Sequence, residues 1–227
     1  MNSLNTAPLS ELLPKLFAAA KIADASFMQD IGQIPPEQRH AVLSSETEYQ
    51  AFYGRAKNAY LAVSPETGKL LYLLARTSRA RAVVEFGTSF GLSTLYLAAA
   101  LRDNGGGRVI SAEMEASKAA KARENFRAAG LADLIEVREG DALTTLAADL
   151  PEQVDLLLLD GAKGLYPKIL DTIEPRLHEG SIVVADNADM APKFLERVRA
   201  ANSPYVSLGA GDDVEVSMFT GRTPPSR

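Results

Sequence analysis

The sequence predicts an α/β fold: a mostly parallel central sheet with helices on both sides, an antiparallel edge strand at the C-terminus, and a helical cover at the N-terminus. Three observations predict it. From residue 81 onward, short apolar runs rich in β-formers alternate with segments of helical period. Several of those runs are apolar at almost every position, as strands buried on both faces are. The last two runs are joined by only four residues, "AGDD", a link short enough for an antiparallel hairpin.

The elements follow in order. Residues 1–63 read as the cover and 64–227 as the main domain, the two making one structural unit. "LSELLPKLFAAAKIADASFMQDI" (9–31) and "ETEYQAFYGRAKNAYLA" (46–62) have apolar residues at helical spacing, and "GQIPPEQ" breaks them. Tyr49, Phe52, Tyr53 and Tyr60 read as core or dimer contacts, and a homodimer is the expected assembly. "SPETGKLLYLLARTS" (64–78) reads as a capped helix, with Ser64 as N-cap and Pro65 at its first position. Strands are expected at 81–87, 108–114, 134–140, 154–160 and 180–187. Helices are expected at 92–103, 117–130 with Gly130 as stop, from Leu143, around 167–178 and around 193–201. The hairpin strands are "YVSLG" (205–209) and "VEVSMFT" (214–220), and the tail "RTPPSR" is expected to fray.

Composition narrows the function. The net charge is −5 and the pI about 5.2, which argues against nucleic acid as a partner, because that affinity rests on basic side chains. There is no cysteine, so disulfides, thiolate nucleophiles and Cys-based metal sites are excluded. The only histidines, His40 and His178, lie near no other candidate ligand in sequence; a metal would be held by oxygen, as Mg²⁺ is. No apolar run reaches transmembrane length and no leader pattern opens the chain, so a soluble cytoplasmic protein with no membrane partner is expected.

The strand tips carry the candidate chemistry. "VVEFGTSFGLST" (83–94) joins the first strand to the next helix through Gly87 and Gly91, with Glu85 just before. It lacks the G-x-G-x-x-G spacing of a pyrophosphate cradle, and an acid there suits an ammonium group; a purely structural turn fits it as well. Glu113 ends the second strand, where a carboxylate can accept both hydroxyls of a ribose or simply stay solvated. Asp141 ends the third and reads first as an N-cap. The fourth ends in "LLLLDGAK", an apolar run that stops at Asp160 with Lys163 three residues on. The fifth ends in "ADN", with Asp186 and Asn187. Together the first three tips form a series along which an adenosine with an amino-acid tail could lie.

With these motifs in this order, the sequence resembles the class I S-adenosylmethionine-dependent methyltransferases, and more narrowly the cation-dependent catechol and caffeoyl-CoA O-methyltransferases. The carriers are "SPETGKLL", "VVEFGTSFGLSTLYLA", "SAEME", "ARENFRAAGL", "EGDAL", "LLLLDGAKGLY" and "GSIVVADN", spread over residues 64–220. The resemblance implies a Rossmann-like fold and S-adenosylmethionine as cofactor. Glu85 and Gly87 would meet its methionine end, Ser93 its carboxylate, Glu113 its ribose, and Asp141 and Ala142 its adenine. Asp160, at the edge of the cofactor site, would bind Mg²⁺ or a similar cation together with Asp186 and Asn187. Lys163 would be the base, with its pKa lowered by the cation, and the acceptor a small phenol chelating that cation.

Physical reasoning supports the metal set beside this. Adjacent parallel strand tips about 4.8 Å apart can share one ion, whereas an Asp160–Lys163 salt bridge leaves Asp186 and Asn187 unexplained. The sequence departs from the resemblance at Gly161 and Ala162, between the acid and the lysine, and in the loop "ADMAPKF" (188–194). Rival readings are a cation-independent methyltransferase, a cofactor-binding protein without turnover, an N-methyltransferase and a nicotinamide-dependent oxidoreductase. The last two lack their motifs here.

Overall fold

A computed structural model describes residues 2–47, 49–211 and 213–221. The tail 222–227 and the side chain of His40 lie outside the described residues. The cover holds α1 (Leu9–Ile31), α2 (Pro36–Leu43) and α3 (Tyr49–Arg55), followed by α4 (Pro65–Thr77). Then β1 (Ala82–Phe86), α5 (Leu92–Asp103), β2 (Arg108–Glu113), α6 (Ala116–Ala128), β3 (Ile135–Glu139) and α7 (Ala142–Thr145) alternate. The chain closes with β4 (Val154–Leu159), α8 (Tyr166–Ile173), β5 (Leu177–Ala185), α9 (Pro192–Arg199), β6 (Tyr205–Gly209) and β7 (Glu215–Phe219).

The seven strands form one sheet in the order β3-β2-β1-β4-β5-β7-β6. β1 to β5 pair in parallel, and β7 runs antiparallel between β5 and β6. The strand order reverses between β1 and β4, and ligands of such sheets bind beyond the strands' carboxyl ends at that reversal. Leu156, Leu157, Leu158 and Leu159 of β4 are fully buried, two facing each side of the sheet. Each such leucine contributes about 1.5–3 kcal/mol relative to exposure. On one side they pack against α1, α4 and α5; on the other, against α8 and α9.

Local chemistry sets the boundaries. Ser64 accepts the Thr67 N–H at 2.9 Å and caps α4. Gly130 has φ +68 just past α6, the left-handed stop expected of it. The link 210–213, in which Asp212 lies outside the described residues, is closed by the Ala210 N–H donating to the Val214 carbonyl at 2.8 Å.

Three expectations fail locally. The helix around 167–178 stops at Ile173, because Pro175 starts a 3-10 turn, and His178 lies inside β5. α2 forms inside the stretch read as a break, since proline is compatible with a first helical turn. The helix expected over 46–62 is only Tyr49–Arg55: Asp24 accepts the N–H groups of Tyr60 and Leu61 at 2.6 and 3.0 Å, drawing that backbone off the helical path.

Candidate active site

The carboxyl ends of β1 to β4 open into one cleft of about 920 Å³, its solvent-facing mouth included. Gly87, Glu113, Asp141, Ala142 and Asp160 all line it. Gly87 is the pivot. Its φ is +106, and a Cβ there would stand 2.6 Å from the Asp160 carbonyl oxygen. No other residue type lets the β1 turn lie this close against the end of β4.

Glu113 accepts the Ser89 N–H at 2.7 Å and the Glu115 N–H at 2.8 Å, which fixes its carboxylate toward the cleft. Each oxygen retains a further lone pair. Asp141 accepts the Leu143 N–H at 2.9 Å, so it is the N-cap of α7 and also a wall of the cleft. Glu85 and Ser93 do not line it. They lie underneath, where Glu85 is wholly buried and accepts hydrogen bonds from Ser93, Thr94 and Ser111 at 2.6, 2.5 and 2.5 Å. Burial outweighs these hydroxyl donors and pushes the Glu85 acid up to about 7.

The second constellation lies at the tips of β4 and β5. Lys163 Nζ donates to Asp160 Oδ1 at 3.1 Å, and Asp186 stands close enough for the two acids to perturb each other. Burial, and then the charge of Asp160, push the Asp186 acid up to about 8. Two carboxyl groups beside one ammonium are one negative charge too many, which a shared proton would relieve. A divalent cation would relieve it equally well. Asn187 follows in a left-handed conformation with φ +47, and its Nδ2 donates to Asp213 Oδ2 at 2.9 Å. That leaves Oδ1 as its ligating atom. Among the described residues no three His, Cys, Asp or Glu side chains form a metal-binding group, so an ion here would rest on two carboxylates and an amide. Such a donor set, with positions left for water and substrate, fits a hard cation.

The surroundings of Lys163 favour its charged form. Burial alone would lower its pKa, but Tyr166, Asp160, Tyr53 and Asp186 outweigh burial and hold it well above the usual lysine value. Its back is fixed by Tyr166, whose ring centroid is 5.3 Å from Nζ and whose hydroxyl donates to the Asp186 carbonyl at 2.8 Å.

Sequence reasoning missed three residues. Tyr49 and Tyr53, read as core or dimer contacts, line the cleft, and the Tyr53 hydroxyl donates to the Gly161 carbonyl at 3.2 Å. Nothing in a helix pattern tells a pocket wall from a core wall. Lys118 also lines the cleft, is only 5% exposed, and has its pKa lowered by burial against the pull of Glu113, Asp24 and Glu115. Here a signal existed: Lys118 shares a helical stripe with Ala122 and Asn125, both buried.

Comparison with known proteins decides the family. The methyltransferase domain family matches residues 84–188. The catechol O-methyltransferase of Niastella koreensis is 32% identical over 168 residues, 70% of this chain and 75% of that one. The chain belongs to the class I S-adenosylmethionine-dependent O-methyltransferases. A second member of that family, the catechol O-methyltransferase of Mycobacterium tuberculosis, is 37% identical over 127 residues, 56% of this chain and 57% of that one. The O-methyltransferase of Bacillus cereus, solved in complex with SAH, has the same fold: TM-score 0.65 at 24% identity, over 88% of this chain and 100% of that one. As an O-methyltransferase the chain methylates a hydroxyl, and the strand tips described above lie where its sheet places ligands. Among the described residues no helix is long and apolar enough to cross a membrane.

Proposed function

We propose that this O-methyltransferase acts on a small catechol-like phenol, with a divalent cation such as Mg²⁺ orienting the acceptor and Lys163 taking its proton. One observation carries the reading: the group of Asp160, Asp186 and Lys163, nearly closed from solvent and with Asn187 beside it, has one acid more than its lysine can neutralise. Asp160, Asp186 and Asn187 Oδ1 would hold the ion. When bound, the cation supplies positive charge that stabilises a phenolate and lowers the proton affinity of the neighbouring amine.

The chain's own residues do the rest. Lys163 is held by Asp160 on one side and the Tyr166 ring on the other, so its Nζ has one place to receive a proton from the acceptor hydroxyl. As the oxygen–methyl bond forms, the methyl–sulfur bond breaks and the proton stays on Nζ. In the cleft, Glu113 offers its remaining lone pairs to the ribose hydroxyls, and Asp141 with Ala142 flanks the adenine. Gly87 brings the backbone close to the methionine end. Glu85, beneath that turn and bonded to Ser93, places negative potential under the ammonium group. Tyr49 and Tyr53 give the cleft aromatic walls. The sulfonium donor carries its own activation, so the chain supplies position.

The test is product analysis by mass spectrometry and NMR, with S-adenosylmethionine and either catechol or phenol as acceptor. A mono-methyl ether from catechol and none from phenol is expected, because only adjacent oxygens chelate. Equal turnover of phenol would sink the chelated acceptor. Product with the methyl on nitrogen or carbon of another substrate would replace this reading with a rival one.

A further inference from the structure

The cofactor cleft is lined by four acids, Glu113, Glu115, Asp141 and Asp160, and among the described residues by a single cation, Lys118. That cation is costly to keep there. Lys118 is only 5% exposed, and a lysine so far withdrawn from water is ordinarily paired with an acid. Among the described residues it forms no ion pair. Its Nζ donates to Ser89 Oγ at 3.4 Å and stands 5.8 Å from the centre of the Phe90 ring. Burial lowers its pKa, and Glu113, Asp24, Glu115 and Asp160 act against burial only through space.

The amine is also held in place. The Phe90 ring is stacked on Tyr60 with centroids 4.0 Å apart, and Asn125 Nδ2 donates to the Phe90 carbonyl at 2.9 Å. Ser89 Oγ donates to the Tyr60 carbonyl at 2.5 Å, so its lone pairs are what Lys118 meets. The β1 turn, α6 and the 60–61 segment of the cover therefore converge on one buried ammonium group that has no counter-charge in contact.

The methionine end of S-adenosylmethionine carries an ammonium group and a carboxylate. Glu85, beneath the β1 turn, answers the ammonium. Ser93, expected to meet the carboxylate, does not line the cleft, and its hydroxyl donates to Glu85 at 2.6 Å. The four acids of the lining repel a carboxylate. Lys118 attracts it, and does so from Ser89, two residues along the turn from Gly87. Resting on the placement of the cofactor in this cleft, we infer that Lys118 binds the carboxylate of the cofactor's methionine end. The ion pair forms away from bulk water as a charge-assisted hydrogen bond, which is worth about tenfold to a hundredfold in affinity. S-adenosylmethionine and SAH share that carboxylate, so Lys118 holds donor and product alike. It therefore acts on KM and leaves kcat nearly unchanged.

The experiment compares SAH with its decarboxylated analogue, which keeps the adenosine and the ammonium group. Binding of each to the full chain is measured by titration calorimetry. The native protein should bind SAH about tenfold or more tighter than the analogue. Lys118→Met should bring that ratio close to one by weakening SAH alone, and Lys118→Arg, which keeps the charge, should retain part of it. In turnover, Lys118→Met should raise KM for S-adenosylmethionine by a similar factor. Equal binding of the two ligands by the native protein would overturn the pairing, as would a ratio that Lys118→Met leaves intact. A loss shared equally by both ligands would overturn it too, because it would move Lys118 to the adenosine end. Glu113→Gln reads the placement of the cofactor separately: it should weaken both ligands alike, since both carry the ribose. If it weakens neither, the cofactor does not lie in this cleft and the pairing falls with that placement.

Discussion

Replacing Gly87 with alanine tests whether the cofactor turn and the acidic site are built against each other. The new Cβ would stand 2.6 Å from the Asp160 carbonyl oxygen and 2.8 Å from the Gly161 nitrogen. Ordinary contact begins at 3.4 Å, so something must move by 3.4 − 2.6 = 0.8 Å. The obstacle is backbone, and it cannot drift: the Asp160 N–H donates to the Phe86 carbonyl at 2.8 Å, and the Asp186 N–H donates to the Leu159 carbonyl at 3.0 Å. Overpacking of this kind costs about 1–3 kcal/mol. The positive φ of +106 adds strain of about 1–2 kcal/mol for any residue with a Cβ. The sum is about 2–5 kcal/mol. Gly130→Ala is the control: its φ is +68 but nothing lies within 4 Å, so it carries the conformational cost alone. Urea unfolding followed by far-UV circular dichroism measures both. Gly87→Ala should lose clearly more stability than Gly130→Ala, and any folded fraction should bind SAH weakly, because Asp160 has been displaced. Equal losses in the two variants would refute the close approach.

Other outcomes follow from the same geometry. Lys163→Met should lower kcat by on the order of 10²–10⁴, the usual worth of a general base, while SAH affinity by calorimetry stays at the native value; an unchanged kcat removes the lysine from the proton transfer. Ser64→Ala should cost about 1 kcal/mol and about 2–4 °C in Tm, read by thermal melting, because the α4 cap is lost. His178 Nε2 lies 2.9 Å from Asp155 Oδ1. Burial works against its protonation, but Asp155 and the Glu179 carbonyl outweigh burial and raise its pKa. Its contribution is therefore full below about pH 6.5, the unfolded value, and disappears as pH rises through the higher folded value. Urea midpoints of native protein and His178→Phe should converge with rising pH; a gap that stays constant across that window contradicts the pairing.

Much of this architecture was legible in the sequence, and the exceptions have physical causes. β4 announced itself because a strand buried on both faces has no room for polar side chains, and Asp160 stood out as the place where that run breaks. The Ser64 cap and the Gly130 stop were visible because each depends on one residue type at one position. The order of the strands follows from topology, and the company Asp160 finds in Asp186 was argued from the resemblance and from the spacing of adjacent parallel strand tips. The place of Tyr49 and Tyr53 in the cleft wall was not legible, since an aromatic residue at helical spacing looks the same against a core or a cleft. The expectation for Lys163 rests on a cation beside it; among the residues themselves its neighbours are acids and tyrosines.

The central claim is that Asp160 and Asp186 hold a cation that the methyl transfer uses. The most direct measurement is the rate of catechol methylation by the native protein with excess chelator, and then with Mg²⁺ added back beyond the chelator's capacity. Turnover lost in chelator and restored by Mg²⁺, with Asp186→Asn deficient under both conditions, is the expected result. A rate indifferent to chelator would contradict the claim, leave an O-methyltransferase that works without metal, and return Asp160 and Asp186 to a structural pair.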